Sequence, residues 1–172
     1  MKQTLALLFV AALVAQALAK EPAPPSRFQF KVPDGWVDKT PADARGSVRL
    51  AFDEANQLAF QAKVSPGSEP VTLAFLDKYA SESQKAVKRI AGTELKVIKK
   101  DGFDIAGVIA ARFIFETPPP PGTPDAQPAR QLQYYVPVGE QHAVLTFTAP
   151  LKSFDKFEAL FDKTARATTI KK

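Results

Sequence analysis

Cysteine is absent from the 172-residue sequence, and histidine occurs once, at His142. Without cysteine the chain can form no disulfide bond, no thiolate nucleophile and no lipid anchor on a cysteine. The usual zinc sites combine several His or Cys ligands, so these sites are excluded as well. A Ser-His-Asp triad would need His142 as its base, yet no nucleophile elbow lies beside it in the sequence. We therefore predict that His142 lies at the surface or at a sheet edge.

Clustered glycines are also missing, and with them the phosphate-binding loops that glycine-rich turns provide. Gly102 and Gly107 are isolated, which is typical of turns or bulges. The acidic pairs at 53–54 and at Asp101 and Asp104 fall in segments that we interpret as turns, where two carboxylates are too few to hold calcium. The sequence thus predicts no catalytic residue, no metal site, no bound cofactor and no enzymatic activity.

Charge is nearly missing from the first nineteen residues, where Lys2 is the single charged side chain. An apolar run, LALLFVAALVA, follows it, and Ala17-Leu18-Ala19 fits the small-x-small rule for cleavage. We interpret residues 1–19 as a signal peptide cleaved after Ala19, which makes the protein periplasmic or secreted, with no transmembrane span after processing. The alternative is an uncleaved anchor, but the apolar run is too short to span a bilayer comfortably.

The remaining chain, 20–172, is long enough for a single domain with a sizeable core. The net charge of the whole sequence is +5, and it lacks the concentrated basic footprint of a nucleic-acid-binding protein. A proline-rich leader covers 20–27, and the domain covers 28–172. A second proline-rich stretch, 117–128, predicts a loop, because proline lacks the amide donor that a sheet interior requires.

Alternating apolar residues predict three strands in the first part of the domain, at 28–32, 47–53 and 57–64. The apolar set of the second strand is Val48, Leu50 and Phe52. The spacing then changes to three and four, which predicts an amphipathic helix capped by Thr72 and stopped at Gly92. Its apolar stripe consists of Leu73, Leu76, Ala80, Ser83, Val87 and Ile90.

Residues 94–105 are interpreted as two short strands around a tight turn at 101–102, because Asp-Gly is a strong hairpin signal. Residues 107–117 are apolar on both faces, as in a central strand. A strand pair turning at 139–140 follows, and then a helix capped by Ser153. The apolar face of this helix consists of Phe154, Phe157, Leu160, Phe161 and Thr164. The order β-β-β-α-β-β-β-β-α predicts an α+β fold with an antiparallel sheet and helices packed on it.

Four stretches resemble the PsbP-like superfamily: FKVPDGW near the start, TLAFLDKY opening the first helix, IAGVIAARFIFE in the middle, and QYYVPVGEQHAVLTFTAPLKSFDKFEALFDK at the end. This group includes the extrinsic lumenal subunit of photosystem II, a Ran-binding nuclear protein and exported bacterial proteins of the DcrB type. The resemblance covers nearly all of 28–170. It implies an α-β-α sandwich that binds or supports other proteins, with no shared active site. The proline-rich insertion is a departure from typical members, and no metal-ligand cluster supports the metal binding suggested for some plant members.

Cations at the end of the first helix lie close in sequence to the lysines of the next strand, and together they are the candidate partner-binding residues. They suit an acidic protein partner, or alternatively an anionic envelope surface. The other interpretation is that they complement the helix dipole and keep the protein soluble. This basic cluster consists of Lys85, Lys88, Arg89, Lys96, Lys99 and Lys100.

Aromatic and proline residues offer further surfaces. Trp36 follows a Pro-Asp-Gly turn, and we interpret its ring as packing against the sheet edge, with ligand stacking as the alternative. Tyr134 and Tyr135 are neighbours on one strand and face opposite ways, so one is expected in the core and the other exposed. The prolines at 118–121 suit either a solvated spacer or a stiff polyproline II surface.

These features favour an exported, non-catalytic binding or accessory protein that acts on a protein or envelope partner. The rival is a small-ligand-binding protein or hydrolase-like enzyme with a pocket at the sheet. A binding protein should show an exposed apolar or basic patch, whereas an enzyme needs a concave site in which titratable groups converge.

Overall fold

A computed structural model describes residues 26–42, 47–119 and 126–171. The predicted signal peptide with its cleavage site, most of the leader and the centre of the proline-rich loop lie outside these residues. Within the described ranges the chain forms nine strands and two α-helices. The strands are β1 (Phe28–Gln29), β2 (Val37–Asp38), β3 (Val48–Asp53), β4 (Leu58–Pro66), β5 (Lys96–Ile105), β6 (Val108–Thr117), β7 (Ala129–Val138), β8 (Gln141–Pro150) and β9 (Thr169–Ile170), and the helices are α1 (Leu73–Ala91) and α2 (Phe154–Arg166).

Seven strands form one antiparallel sheet in the order β2-β3-β4-β8-β7-β6-β5. After β4 the chain passes through α1 to the far edge strand, β5. It then returns strand by strand until β8 lies beside β4. The short strands β1 and β9 pair separately, with Phe28 opposite Ile170, so the segment that follows the leader is joined to the end of the chain.

One helix covers each face of the sheet. On the first face, here the α1 face, Phe75 and Leu76 of α1 belong to the same buried cluster as Phe113 and Tyr135 of the strands. On the opposite α2 face the cluster is larger. It joins α2 to the strands through Phe28, Phe60, Leu132, Tyr134, Leu145, Phe147, Phe154 and Phe161. The predicted α-β-α sandwich around an antiparallel sheet is therefore confirmed.

Helix α1 begins and ends where the sequence predicts. The Thr72 side chain accepts a hydrogen bond from the Phe75 amide at 3.1 Å, and Gly92 closes the helix in the left-handed conformation, with φ of 66°. The predicted stripe is correct for its central members but wrong for Leu73, which is 82% exposed. Phe75 takes its place against the sheet, with its ring centroid 4.6 Å from that of Tyr135.

Helix α2 begins without the predicted serine cap. A single 3₁₀ turn, Leu151–Ser153, precedes it, and the Ser153 hydroxyl donates back to the Pro150 carbonyl at 3.3 Å instead of accepting from the helix. The predicted apolar face is otherwise correct. Phe154 and Phe161 are fully buried, and Phe157 is half-buried at the margin of the core.

The tight turn predicted at Asp101-Gly102 is wrong, because β5 runs straight through it. Asp101 lies opposite Arg112 of β6, and Arg112 donates to both oxygens of its carboxylate at 2.8 and 2.7 Å, so the ladder continues across the glycine. The hairpin turns instead at Ala106 and Gly107, with φ of 54° and 79°. Positive φ at both central residues is what a tight type I′ hairpin requires.

Strands β2, β3 and β9 also differ from the sequence interpretation. Val48, Leu50 and Phe52 are only half-buried, and Ala51 is the buried residue of β3, because it lies opposite the core residue Phe60. The two-residue strands β2 and β9 were not predicted, since so few residues carry no alternating pattern. Both form by pairing with longer or distant segments.

Replacing Phe161 with alanine should destabilise the fold by about 3–5 kcal/mol, because the ring is fully buried between α2 and the sheet. Chemical denaturation followed by circular dichroism measures the loss. Phe157→Ala is the matched control on the same helix and should cost clearly less, since its side chain is half-buried. Equal losses would show that the two rings are equivalent and that the described packing is incorrect.

Candidate functional site

The basic cluster lies around the C-terminal half of α1 and along β5, the edge strand nearest that helix. Lys85, Lys88 and Arg89 are all exposed on α1, and Lys88 and Arg89 are in its last turn. Cations at that position complement the carbonyl end of the helix dipole. The structure therefore places all six residues of the cluster at the surface, along α1 and β5.

The sheet divides this cluster in two. Lys100 lies opposite Phe113, which belongs to the α1 face, and its ammonium pairs with Asp77 of α1. Lys99 lies opposite Ile114, which belongs to the core on the α2 face. Lys96 lies opposite Glu116 on that same side. The cluster thus surrounds the edge of the sheet and does not form one flat patch.

Three cations of the cluster have acidic partners. Lys88 pairs with Glu94 at 3.2 Å, Lys99 pairs with Asp101 at 3.2 Å, and Lys100 pairs with Asp77. Lys85, Arg89 and Lys96 make no ion pair with any residue that the structure describes. Exposed ion pairs contribute little to stability and exchange readily, so the cluster keeps an excess of positive charge.

A second group of charges converges between the sheet and α2. Arg112 of β6 holds Asp101 of β5 and also contacts Asp162 of α2 at 3.3 Å, and the Tyr134 hydroxyl donates to the same Asp162. Arg112 and Arg166 both lie against the ring of Phe103, at 4.9 and 4.4 Å from its centroid. This group ties the C-terminal half of α2 to three strands.

The electrostatics of this group are those of a satisfied structural network. The Arg112 guanidinium holds the pKa of the Asp101 carboxyl below its usual range, and Asp101 in turn raises the pKa of Arg112. Burial, followed by the bond to Asp162, raises the pKa of Tyr134. Asp101 and Arg112 therefore stay charged near neutral pH, and the Tyr134 hydroxyl stays protonated.

A second arginine anchors the start of α2. Arg130 of β7 contacts Glu116 of β6 at 3.3 Å and Asp155, in the first turn of α2, at 3.0 Å. Its guanidinium also lies 5.4 Å from the centroid of the Phe154 ring. With Arg112, it fixes α2 to the sheet at both ends.

The two neighbouring tyrosines face opposite sides of the sheet, as predicted, but neither is exposed. Tyr134 lies in the cluster on the α2 face, and Tyr135 is buried under α1, where its hydroxyl accepts a hydrogen bond from the Glu69 amide at 2.7 Å. Burial raises the pKa of Tyr135. The expectation of an exposed tyrosine is wrong because the segment between β4 and α1 crosses over this end of β7.

His142 lies near the start of β8, where it stacks on Tyr135 with centroids 4.8 Å apart. Its Nδ1 atom is hydrogen-bonded to the Gly67 carbonyl. It is partly exposed near the end of its strand, in keeping with the predicted surface or edge position. Its contacts secure the crossing segment, and Ser65 of β4 lies opposite it in the sheet.

The contacts of Trp36 are structural. The Trp36 amide donates to the Pro33 carbonyl at 3.2 Å, and Gly35 adopts φ of 83° in the turn between them. The half-buried indole then meets the Phe161 ring edge-on, with centroids 6.5 Å apart. The ring thus contacts α2 and packs against the buried cluster on the α2 face, directly before the edge strand β2.

Within residues 26–42, 47–119 and 126–171, no group of three or more acidic or histidine side chains is arranged so as to hold a metal ion. None of the helices found in those ranges is long and apolar enough to cross a membrane.

Comparison with known proteins identifies the fold. The structure of cyanobacterial PsbP (CyanoP) from Synechocystis sp. PCC 6803 is similar, with a TM-score of 0.63 and 13% identity over 91% of this chain and 99% of that one. LpqN, described as involved in cell envelope biogenesis of Mycobacterium tuberculosis, has a TM-score of 0.54 and 16% identity over 88% of this chain and 87% of its own. The Saccharomyces cerevisiae Ran-binding protein Mog1p has a TM-score of 0.50 and 12% identity over 79% of this chain and 78% of its own.

No protein-family model and no curated protein sequence matches the chain. The resemblance seen in the sequence is therefore confirmed at the level of the fold, which is PsbP-like. At these identities the comparisons carry no residue roles to this chain.

The Asp101 carboxyl should make the free energy of unfolding depend on pH in the acidic range. Its pKa in the folded state lies below the value of about 3.9 expected when unfolded. The stabilisation is therefore present above the unfolded value and is lost as pH falls through the folded value. In Asp101→Asn, the free energy of unfolding should fall less between pH 5 and pH 2 than in the wild type. A wild-type slope in Asp101→Asn would contradict the Arg112 pairing.

Proposed function

We propose that this is an exported, non-catalytic accessory protein that acts by binding a protein partner, with the basic cluster as its contact surface. The observation that carries the proposal is the excess positive charge along α1 and the edge strand β5. There Lys85, Arg89 and Lys96 make no ion pair with the described residues, while Lys88, Lys99 and Lys100 each have one acidic partner. A surface with a net positive charge attracts an oppositely charged partner and raises its association rate.

The comparisons support an accessory role at the level of the fold. LpqN is described as involved in cell envelope biogenesis, and Mog1p is described as a Ran-binding protein. Export rests on the sequence, in which the apolar run and Ala17-Leu18-Ala19 fit a cleaved signal peptide. The periplasm or the external medium is therefore where we propose that the protein acts. An anionic envelope surface is the alternative binding partner of the same cations.

The rival function, an enzyme or small-ligand protein with a pocket at the sheet, would have to use the charges around Arg112. Those groups already satisfy one another. Asp101 receives two hydrogen bonds from Arg112, and Asp162 receives one from Arg112 and one from Tyr134. These hydrogen bonds join β5, β6, β7 and α2, which is a structural use of the charges. We therefore favour binding over catalysis.

Affinity capture from the exported fraction tests the proposal, using protein that should begin at Lys20. The variant Lys85→Glu/Arg89→Glu should lose the captured partner, and wild-type capture should weaken as salt rises, because exposed charges are screened over about 8 Å at physiological ionic strength. The matched control is Lys152→Glu/Lys163→Glu, which makes the same charge change at exposed residues near and on α2. The control should capture as the wild type does. Capture that survives reversal and high salt, or that both variants lose equally, would contradict a role for the basic cluster.

A further inference from the structure

The edge strand β5 contains an irregularity in the middle of the basic cluster. Val97 lies opposite Phe115 of β6, and Lys99 lies opposite Ile114, the next residue back along β6. Ile98 therefore has no partner in the register and forms a β-bulge. Bulges on edge strands locally break the ladder and redirect a side chain.

The side chain that this bulge presents is apolar and exposed. Ile98 is an apolar residue that is 41% exposed. The exposed residues near it on the strand are all cations, namely Lys96, Lys99 and Lys100. Edge strands commonly carry lysines and bulges because both hinder pairing with other chains. Lysine would serve that purpose at position 98 as well. An exposed isoleucine there gives the edge an apolar contact point that protection against pairing does not require.

An exposed isoleucine surrounded by lysines favours a particular kind of ligand. The cations on either side of Ile98 disfavour basic strands and attract acidic ones, since like charges brought together at an interface are unfavourable. Binding energy in protein interfaces is concentrated in a few desolvated apolar or aromatic anchors surrounded by polar contacts. Ile98 has the position of such an anchor, with the charged side chains of the cluster around it.

We infer that Ile98 is the apolar anchor of a docking site for an acidic polypeptide segment that carries an apolar side chain. The inference rests on the proposed binding function and names the chemistry of its partner. A polypeptide fits better than an anionic membrane, because Lys100 extends on the α1 face whereas Lys96 and Lys99 belong to the α2 face. A segment can follow the narrow edge between them. A single isoleucine offers a membrane little apolar area, and interfacial binding scales with that area.

Two synthetic peptides test the inference: an acidic peptide with leucines at intervals among glutamates, and the same peptide with serine at each leucine. Fluorescence anisotropy measures their dissociation constants for the purified protein. Wild type should bind the leucine peptide about tenfold more tightly than the serine peptide, the ratio expected from burying one apolar contact. Ile98→Ser should reduce this ratio to about one, because only the charge attraction remains. Ile98→Val, which keeps an apolar β-branched side chain, should restore most of it.

The matched control is Ile109→Ser on β6, which removes an isoleucine that is 59% exposed and lies outside the basic cluster. It should keep the wild-type ratio. A ratio unchanged by Ile98→Ser would overturn the anchor, while salt-sensitive binding of both peptides would still support the proposed function. Binding of phosphatidylglycerol vesicles but of neither peptide would overturn the polypeptide docking site in favour of a lipid surface. Absence of salt-sensitive binding to peptides and vesicles alike would count against both proposals.

Discussion

The constraint on which the structure depends is that β6, β7 and β8, the neighbouring strands near the middle of the sheet, bury residues on both faces. Phe113 and Tyr135 lie under α1, while Ile114 and Tyr134 lie under α2. An antiparallel sheet can leave one face in water, but strands that are apolar on both faces need a cover on each. The two helices and the sandwich architecture follow from this need.

Because the two helices cover the central strands, the two groups of charged residues lie at the ends of α2 and at the edge of the sheet. Arginines from β6 and β7 fix the ends of α2 through Asp162 and Asp155, so the charges inside the sandwich are used for assembly. The charges of the basic cluster are left outside, around an edge strand interrupted by a bulge. The two groups meet where Lys99 of the basic cluster pairs with Asp101, which Arg112 also holds, and the proposed function uses the exposed cations of the cluster.

Long periodic segments could be predicted from the sequence, because their residues carry the signal themselves. Thr72 and Gly92 mark α1 correctly, and 107–117 is apolar on both faces as β6 is. Features decided by distant partners could not be predicted. Asp101-Gly102 is a local turn signal that Arg112 overrides across the ladder, and β9 exists because Phe28 pairs with Ile170. The basic cluster could be read from the sequence as a group, but its division by the sheet and the exposure of Ile98 depend on the register of β5 against β6.

We propose that the protein works by contact through the edge of β5 and the end of α1. Site-specific photo-crosslinking in the cells that make the protein tests this proposal, with a photoreactive side chain placed in turn at Ile98, at Lys85 and, for comparison, at Lys152. We expect a discrete protein adduct from the first two positions and none from the third. Adducts from Lys152 alone, or no adduct from Ile98 and Lys85, would contradict it.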